Sequence, residues 1–258
     1  METVRVERAG GVVTVTLNRP ERKNALTEAM VGELAAVFES VAHDDEDRVL
    51  VLTGAGNDFC SGADLAFVGA PTGGGSAFGR VRKVGETALS LHRLAKPTIA
   101  KVDGVAVGAG LGLAIACDLV VSSDRARFSM IFVRRALSPD CATSWLLPRL
   151  VGTAKAKELA FFGEVVDAES ALRIGLVNRV VPHGDLDTEV ADWARRLAEG
   201  PELALATTKK LLDASWSTSL AEAVDHEAAC QAENLAGADV REALAAFSEK
   251  RPARYGGR

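Results

Sequence analysis

Asp140 is the carboxylate whose neighbours most resemble a chemical tool. It sits in the run Ser138-Pro139-Asp140-Cys141-Ala142-Thr143-Ser144-Trp145. A serine at the N-cap, a proline at N1 and an acid in the first turn predict a helix start here. That reading makes Asp140 structural, an anion at the positive end of a helix dipole; the competing reading is a single acid/base. A second segment, Val105-Ala106-Val107-Gly108-Ala109-Gly110-Leu111-Gly112, follows a short β-rich run and opens a small-residue helix. Its spacing is G-x-G-x-G rather than the dinucleotide fingerprint G-x-G-x-x-G, and no acid closes a second strand some twenty residues on. What remains is either a helix packed close to a neighbouring backbone or a helix N-terminus whose free N–H groups hold an oxyanion. The third segment is Asp58-Phe59-Cys60-Ser61-Gly62-Ala63-Asp64-Leu65, with Asp64 a candidate helix-start carboxylate.

These segments need a scaffold, and the chain supplies one. Residues 3–8 and 12–17 around Gly10-Gly11 predict a hairpin, and Thr27 predicts the N-cap of a helix reaching Ala42. Residues 48–53, 98–102 and 119–122 read as short buried strands, and 77–94, 108–116 and 144–162 as helices. From Leu186 the pattern is almost entirely helical, interrupted at Pro201. Gly69–Ser76 (GAPTGGGS) reads as a linker or a flap. Strand–helix repetition over 258 residues points to an α/β fold with a core large enough to need no disulfide or metal. A net charge of −5 without a dense basic tract argues against nucleic-acid and anionic-membrane partners. The four cysteines are scattered and no zinc spacing exists. The apolar run Val105–Cys117 is too short to span a bilayer, and METVRVERAG lacks a signal-peptide core. A soluble, cytoplasmic protein is the expectation.

In order and spacing the chain resembles the crotonase (enoyl-CoA hydratase/isomerase) superfamily. The resemblance runs through Asn18-Arg19-Pro20…Asn24-Ala25-Leu26, the 58–65 and 103–110 segments, Pro148-Arg149-Leu150-Val151-Gly152 and Phe247…Lys250-Arg251. It implies a spiral of ββα units, with residues 1–185 as the core carrying an acyl-CoA site. Residues 186–258 become a C-terminal helical trimerisation region, for a homotrimer or a hexamer built as a dimer of trimers. It also implies an acyl-CoA thioester partner, with coenzyme A arriving as part of the substrate and no permanently bound cofactor or metal. The thioester enolate is held by the backbone N–H groups of Ala63 and Ala109. Coenzyme A contacts fall on Arg22, Lys23, Ala25, Ser61, Ala63, Asp64, Leu65 and Gly108, with Phe247 and Lys250 reaching a neighbouring subunit's coenzyme A; a solvated surface is the plainer reading of the basic residues.

Within that superfamily, hydratases use two glutamates, whose places here match Gly112 and Phe132. Acyl length and branching depend on pocket shape, which Gly112 can enlarge but does not define. Asp140 matches the single acid/base of members that move a double bond between the 3,4 and 2,3 positions of an enoyl-CoA. Phe132, Leu137 and Trp145 would raise its pKa and a helix N-terminus would lower it. An aspartate nucleophile of the aryl-CoA dehalogenase kind is an alternative, but Gly85 stands where those enzymes place a histidine and His92 reads as a helix-surface residue. A hydratase-like enzyme or a non-catalytic acyl-CoA binder are the others. Glu86 is either a second carboxylate or part of a solvated helix face.

Overall fold

The computed structural model describes residues 2–64 and 76–256. Strands β1 (Val4–Ala9) and β2 (Val12–Leu17) pair antiparallel across Gly10 and Gly11, whose φ values of +57° and +78° allow the tight reversal. β3 (Val49–Gly54), β4 (Thr98–Val102), β6 (Leu119–Ser123) and β9 (Arg179–Val181) extend this hairpin as parallel neighbours, in the order β1-β2-β3-β4-β6-β9. A smaller sheet holds β5 (Val105–Val107), β7 (Arg127–Ser129) and β8 (Val165–Asp167). The chain passes from β4 straight into β5 and from β6 straight into β7. Each passage takes it from the large sheet to the small one, so the expected ββα units form two layers.

Both faces of the large sheet are covered, which explains the unbroken apolar character of β3. On one face lies α1 (Glu28–His43), capped by Thr27 as the sequence predicts, with Met30, Leu34, Val37, Phe38 and Val41 buried. Helix α2 (Ala77–His92) packs beside it. On the other face α7 (Leu186–Ala198) presents Leu186, Val190 and Ala194 to Val49, Val51, Ile99 and Val121. Helix α3 (Ala109–Ala116) runs through the interior with all eight residues buried. The helix expected over 144–162 is two, α4 (Thr143–Val151) and α5 (Thr153–Phe162), divided at Gly152 with φ +78°. After α6 (Ala168–Arg173) and α7 come α8 (Glu202–Ala214), α9 (Leu220–Ala236) and α10 (Ala238–Glu249), with Pro201 separating α7 from α8 as expected. Among the described residues no helix is long and apolar enough to cross a membrane.

Asn24 joins two loops that border the site. It is fully buried at φ +54°; its Oδ1 accepts from Arg19 N (2.9 Å) and its Nδ2 donates to Ala55 O (2.9 Å) and Asp58 O (2.7 Å). Substituting Asn24→Ala strands three backbone groups, one buried and two partly buried, and should cost about 3 kcal/mol. Thermal or urea unfolding measures this directly, and a loss below about 0.5 kcal/mol would show that the loops hold without it.

Candidate active site

Two backbone segments converge at the start of α3. Leu26 N donates to Gly62 O (2.8 Å) and Asp64 N donates to Leu26 O (2.9 Å), so Gly62–Asp64 pairs with Leu26 along one edge. Strand alternation then turns the Ala63 N–H to the opposite edge. Ala109 lies nearby: a Cβ added to Gly62, which sits at φ +97°, would be 3.7 Å from Ala109 N and 2.8 Å from Val107 O. Gly108 caps α3 at φ +56° without a side-chain bond, leaving the first N–H groups of the helix open. Neither the Ala63 nor the Ala109 N–H has an acceptor among the described residues. A free backbone donor at a helix N-terminus, with a second on the adjoining loop, can hold an oxyanion.

Asp140 approaches from the loop before α4, and here the structure corrects the sequence. No helix starts at Ser138. Cys141 and Ala142 have φ values of +50° and +59°, and α4 begins only at Thr143. The Asp140 carbonyl accepts from Thr143 N (3.0 Å) and Thr143 Oγ1 (2.7 Å). Its carboxylate therefore does not serve as the helix cap. Oδ1 is buried and has no hydrogen-bond partner among the described residues. Burial raises the carboxyl to about 6, which settles the sign that the sequence left open.

The surroundings differ from expectation. Phe132 is buried and touches the space beside Gly108, but Leu137 and Trp145 are 46% and 41% exposed. Gly112 does not enlarge a pocket, because Cys141 fills the space against it: a Cβ there would lie 2.8 Å from Cys141 Cβ. A cleft of about 920 Å³ opens instead between α2, α4 and α8, walled by Gly85, Leu89, Trp145, Leu146 and Leu203 and reaching Ala142. His92 is no plain surface histidine: it lines this cleft, meets Trp145 edge-on at 5.7 Å and lies 3.9 Å from Asp213. Glu86 pairs with Arg82 on an exposed helix face, in keeping with the solvated reading.

Several candidate binding residues cluster. Ser61 N donates to Lys23 O (2.9 Å), and Arg19 bonds both Ala25 O (2.5 Å) and Asp64 Oδ2 (3.0 Å). Asp64 thus pairs with an arginine on the 19–25 loop. Arg22 and Lys23 are exposed beside them, with Lys23 Nζ 3.6 Å from Asp58. Leu65 and residues 69–75 of the glycine-rich segment fall outside the described residues, while Ser76 caps α2. Phe247 and Lys250 stand apart at the end of α10, Phe247 being 86% exposed. The reading of single residues gave no role to Asn24, Arg19, Cys141 and Thr143, which act by buried or backbone-directed contacts, although the first two lie within the motifs that carry the resemblance.

The chain matches the Enoyl-CoA hydratase/isomerase family over residues 7–258. It is 40% identical to a "Probable enoyl-CoA hydratase" of Rhodobacter capsulatus, covering 99% of this chain and 98% of that one. It is 39% identical to the 1,2-epoxyphenylacetyl-CoA isomerase of Escherichia coli, with 96% of each covered. The crystal structure of an enoyl-CoA hydratase from Bacillus anthracis superposes with a TM-score of 0.95 at 30% identity, covering 99% of this chain and all of the other. A two-layer ββα spiral with open donors at a buried helix start is thus the fold of the crotonases. The chain belongs to the enoyl-CoA hydratase/isomerase family, a family of enzymes acting on coenzyme A thioesters.

The raised Asp140 carboxyl has a signature in stability. The folded protein holds this proton up to about pH 6. An unfolded chain releases it near pH 3.9, so stability falls as pH rises between the two values. Asp140→Asn removes the buried charge. Its melting temperature should exceed that of wild type at pH 8 and match it below about pH 4; equal melting curves at both pH values would contradict the burial.

Proposed function

We propose that this enzyme isomerises a 3-enoyl-CoA to the 2-enoyl-CoA, with Asp140 as the only acid/base. The observation that supports this reading best is the Asp140 carboxyl, raised to about 6, with a buried Oδ1 that has no partner among the described residues, on the turn packed against the helix that begins at Ala109. Asp140 takes the proton from C2, and the electron pair spreads over the thioester oxygen and C4. The Ala63 and Ala109 N–H groups hold the developing oxyanion, a contribution of several kcal/mol for such donors. The same carboxyl then delivers the proton to C4 and the C2=C3 bond forms. No water is consumed.

The remaining assignments complete the proposal. Arg22, Lys23, Ala25, Ser61, Asp64, Leu65 and Gly108 receive the coenzyme A, and the cleft between α2, α4 and α8 has apolar walls suited to an acyl group. Residues 186–258 form an oligomerisation region in a cytoplasmic trimer or hexamer, in which Phe247 and Lys250 meet a neighbour's coenzyme A. The bare apolar side chains Leu220, Leu244 and Phe247 support that assembly. Hydration is the second reading, favoured by the names of relatives. It calls for two positioned groups, and Gly112 and Phe132 offer neither. The E. coli relative, by its name, catalyses an isomerisation of a CoA ester.

Asp140→Asn should lower isomerisation by about 10²- to 10⁴-fold while KM changes by only about two- to threefold. In wild type, kcat/KM should climb with pH through about 6 to a plateau, since the free enzyme needs the ionised carboxylate. Full turnover by the variant would remove Asp140 from the chemistry.

A further inference from the structure

Helix α3 and the Cys141–Ala142 turn meet where neither has slack. A Cβ on Gly112 would lie 2.8 Å from both Cys141 Cβ and Cys141 O, and 2.9 Å from Cys141 Sγ. Cys141 is 2% exposed, and its Sγ–H donates to Ala109 O at 3.5 Å. Cys141 and Ala142 both occupy the left-handed region, a strain that persists only where packing enforces it. Farther along the same turn, the buried Thr143 holds the Asp140 carbonyl. The Asp140 main chain is therefore fastened through the turn that follows it, while its buried Oδ1 has no hydrogen-bond partner among the described residues. Ala109, which supplies an oxyanion donor through its N–H, accepts the Cys141 thiol through its C=O.

We propose that Cys141, seated on Gly112, is a positioning residue that fixes the Asp140 carboxylate relative to the Ala109 N–H. Its bulk also closes this face of α3 to a second carboxylate, so the pair Gly112–Cys141 directs the site to proton shuttling and away from water addition. The inference rests on the isomerase reading above. A proton shuttle depends on the spacing of base and oxyanion donor, and about 1 Å of misplacement costs about 100-fold. Cys141 lies where the turn after Asp140 comes hard against this helix. The thiol itself takes no part in the chemistry: burial holds it well above the ordinary cysteine range, with the neighbouring Asp140 adding to the effect.

The test uses Cys141→Ala, Cys141→Ser and Gly112→Ala in the full chain, assayed with a 3-enoyl-CoA across pH. Cys141→Ala and Gly112→Ala should each lower kcat by about tenfold or more with KM within about threefold. In Cys141→Ala the midpoint of the acid limb of kcat/KM should fall below that of wild type, because the vacated space admits water to Asp140. Cys141→Ser, which keeps a donor for Ala109 O, should recover about a third of kcat or more. Wild-type kcat and midpoint in folded Cys141→Ala overturns the proposal, as does Cys141→Ser impaired to the same degree as Cys141→Ala. Should Gly112→Ala not fold, Cys141→Ala decides alone, since it only removes atoms. Asp140→Asn keeps the two ideas apart: an inactive Asp140→Asn beside wild-type Cys141→Ala defeats the positioning role only, whereas an active Asp140→Asn defeats the isomerase reading beneath it.

Discussion

Everything at this site depends on how closely one short helix can approach its neighbours. Helix α3 has no Cβ at Gly110 or at Gly112, and the carbonyl of Cys60 and the body of Cys141 occupy the vacated positions. An alanine at either place would force backbone to move, because a real Cβ does not survive such contacts. The helix is thereby pressed between the loop that carries Ala63 and the turn that carries Asp140. The Ala63 and Ala109 N–H groups and Asp140, the donors and acid/base of the proposed reaction, are gathered by steric fit rather than by hydrogen bonds among themselves, which suits them to meet a substrate.

The cost of that arrangement falls on Asp140. A partly buried carboxylate whose Oδ1 has no donor among the described residues resists ionisation, so its pKa rises toward the range where one group can both take and return a proton near neutrality. The left-handed Cys141 and Ala142 keep α4 from extending back to Ser138, which would have put Asp140 at the positive end of that helix. Most other shifted carboxylates are held down by hydrogen-bonded partners, Asp213 being raised by burial as Asp140 is. Asp103, for example, is held below the usual carboxylate range, since bonds from Arg125 and Ser123 outweigh its burial. Asp140 departs from that habit, and active sites are where such departures collect.

Much of this was legible in the amino-acid order. The alternation in 12–17, the Thr27 cap and the helical spacing of Met30, Leu34, Phe38 and Val41 foretold their elements because local propensity and burial agree there. The Ser-Pro-Asp run misled because cap preferences describe a helix start in isolation, whereas packing of Cys141 on Gly112 selects a different backbone. Gly112 misled for a related reason: a missing side chain signals either an opening or a close neighbour, and only the fold tells which. The roles of Asn24 and Thr143 rest on bonds to main-chain atoms distant in sequence or turned into a loop, and no residue pattern encodes those.

The most direct test of a one-carboxylate shuttle follows an isotope. A 3-enoyl-CoA deuterated at C2 is converted by wild type and by Asp140→Asn, and the product is read by mass spectrometry and proton NMR. The account predicts that wild type carries part of the label to C4 of the 2-enoyl-CoA, while the variant yields neither transfer nor product at a comparable rate. Label reaching C4 at the wild-type rate in Asp140→Asn, or a 3-hydroxyacyl-CoA as the main wild-type product, would contradict it.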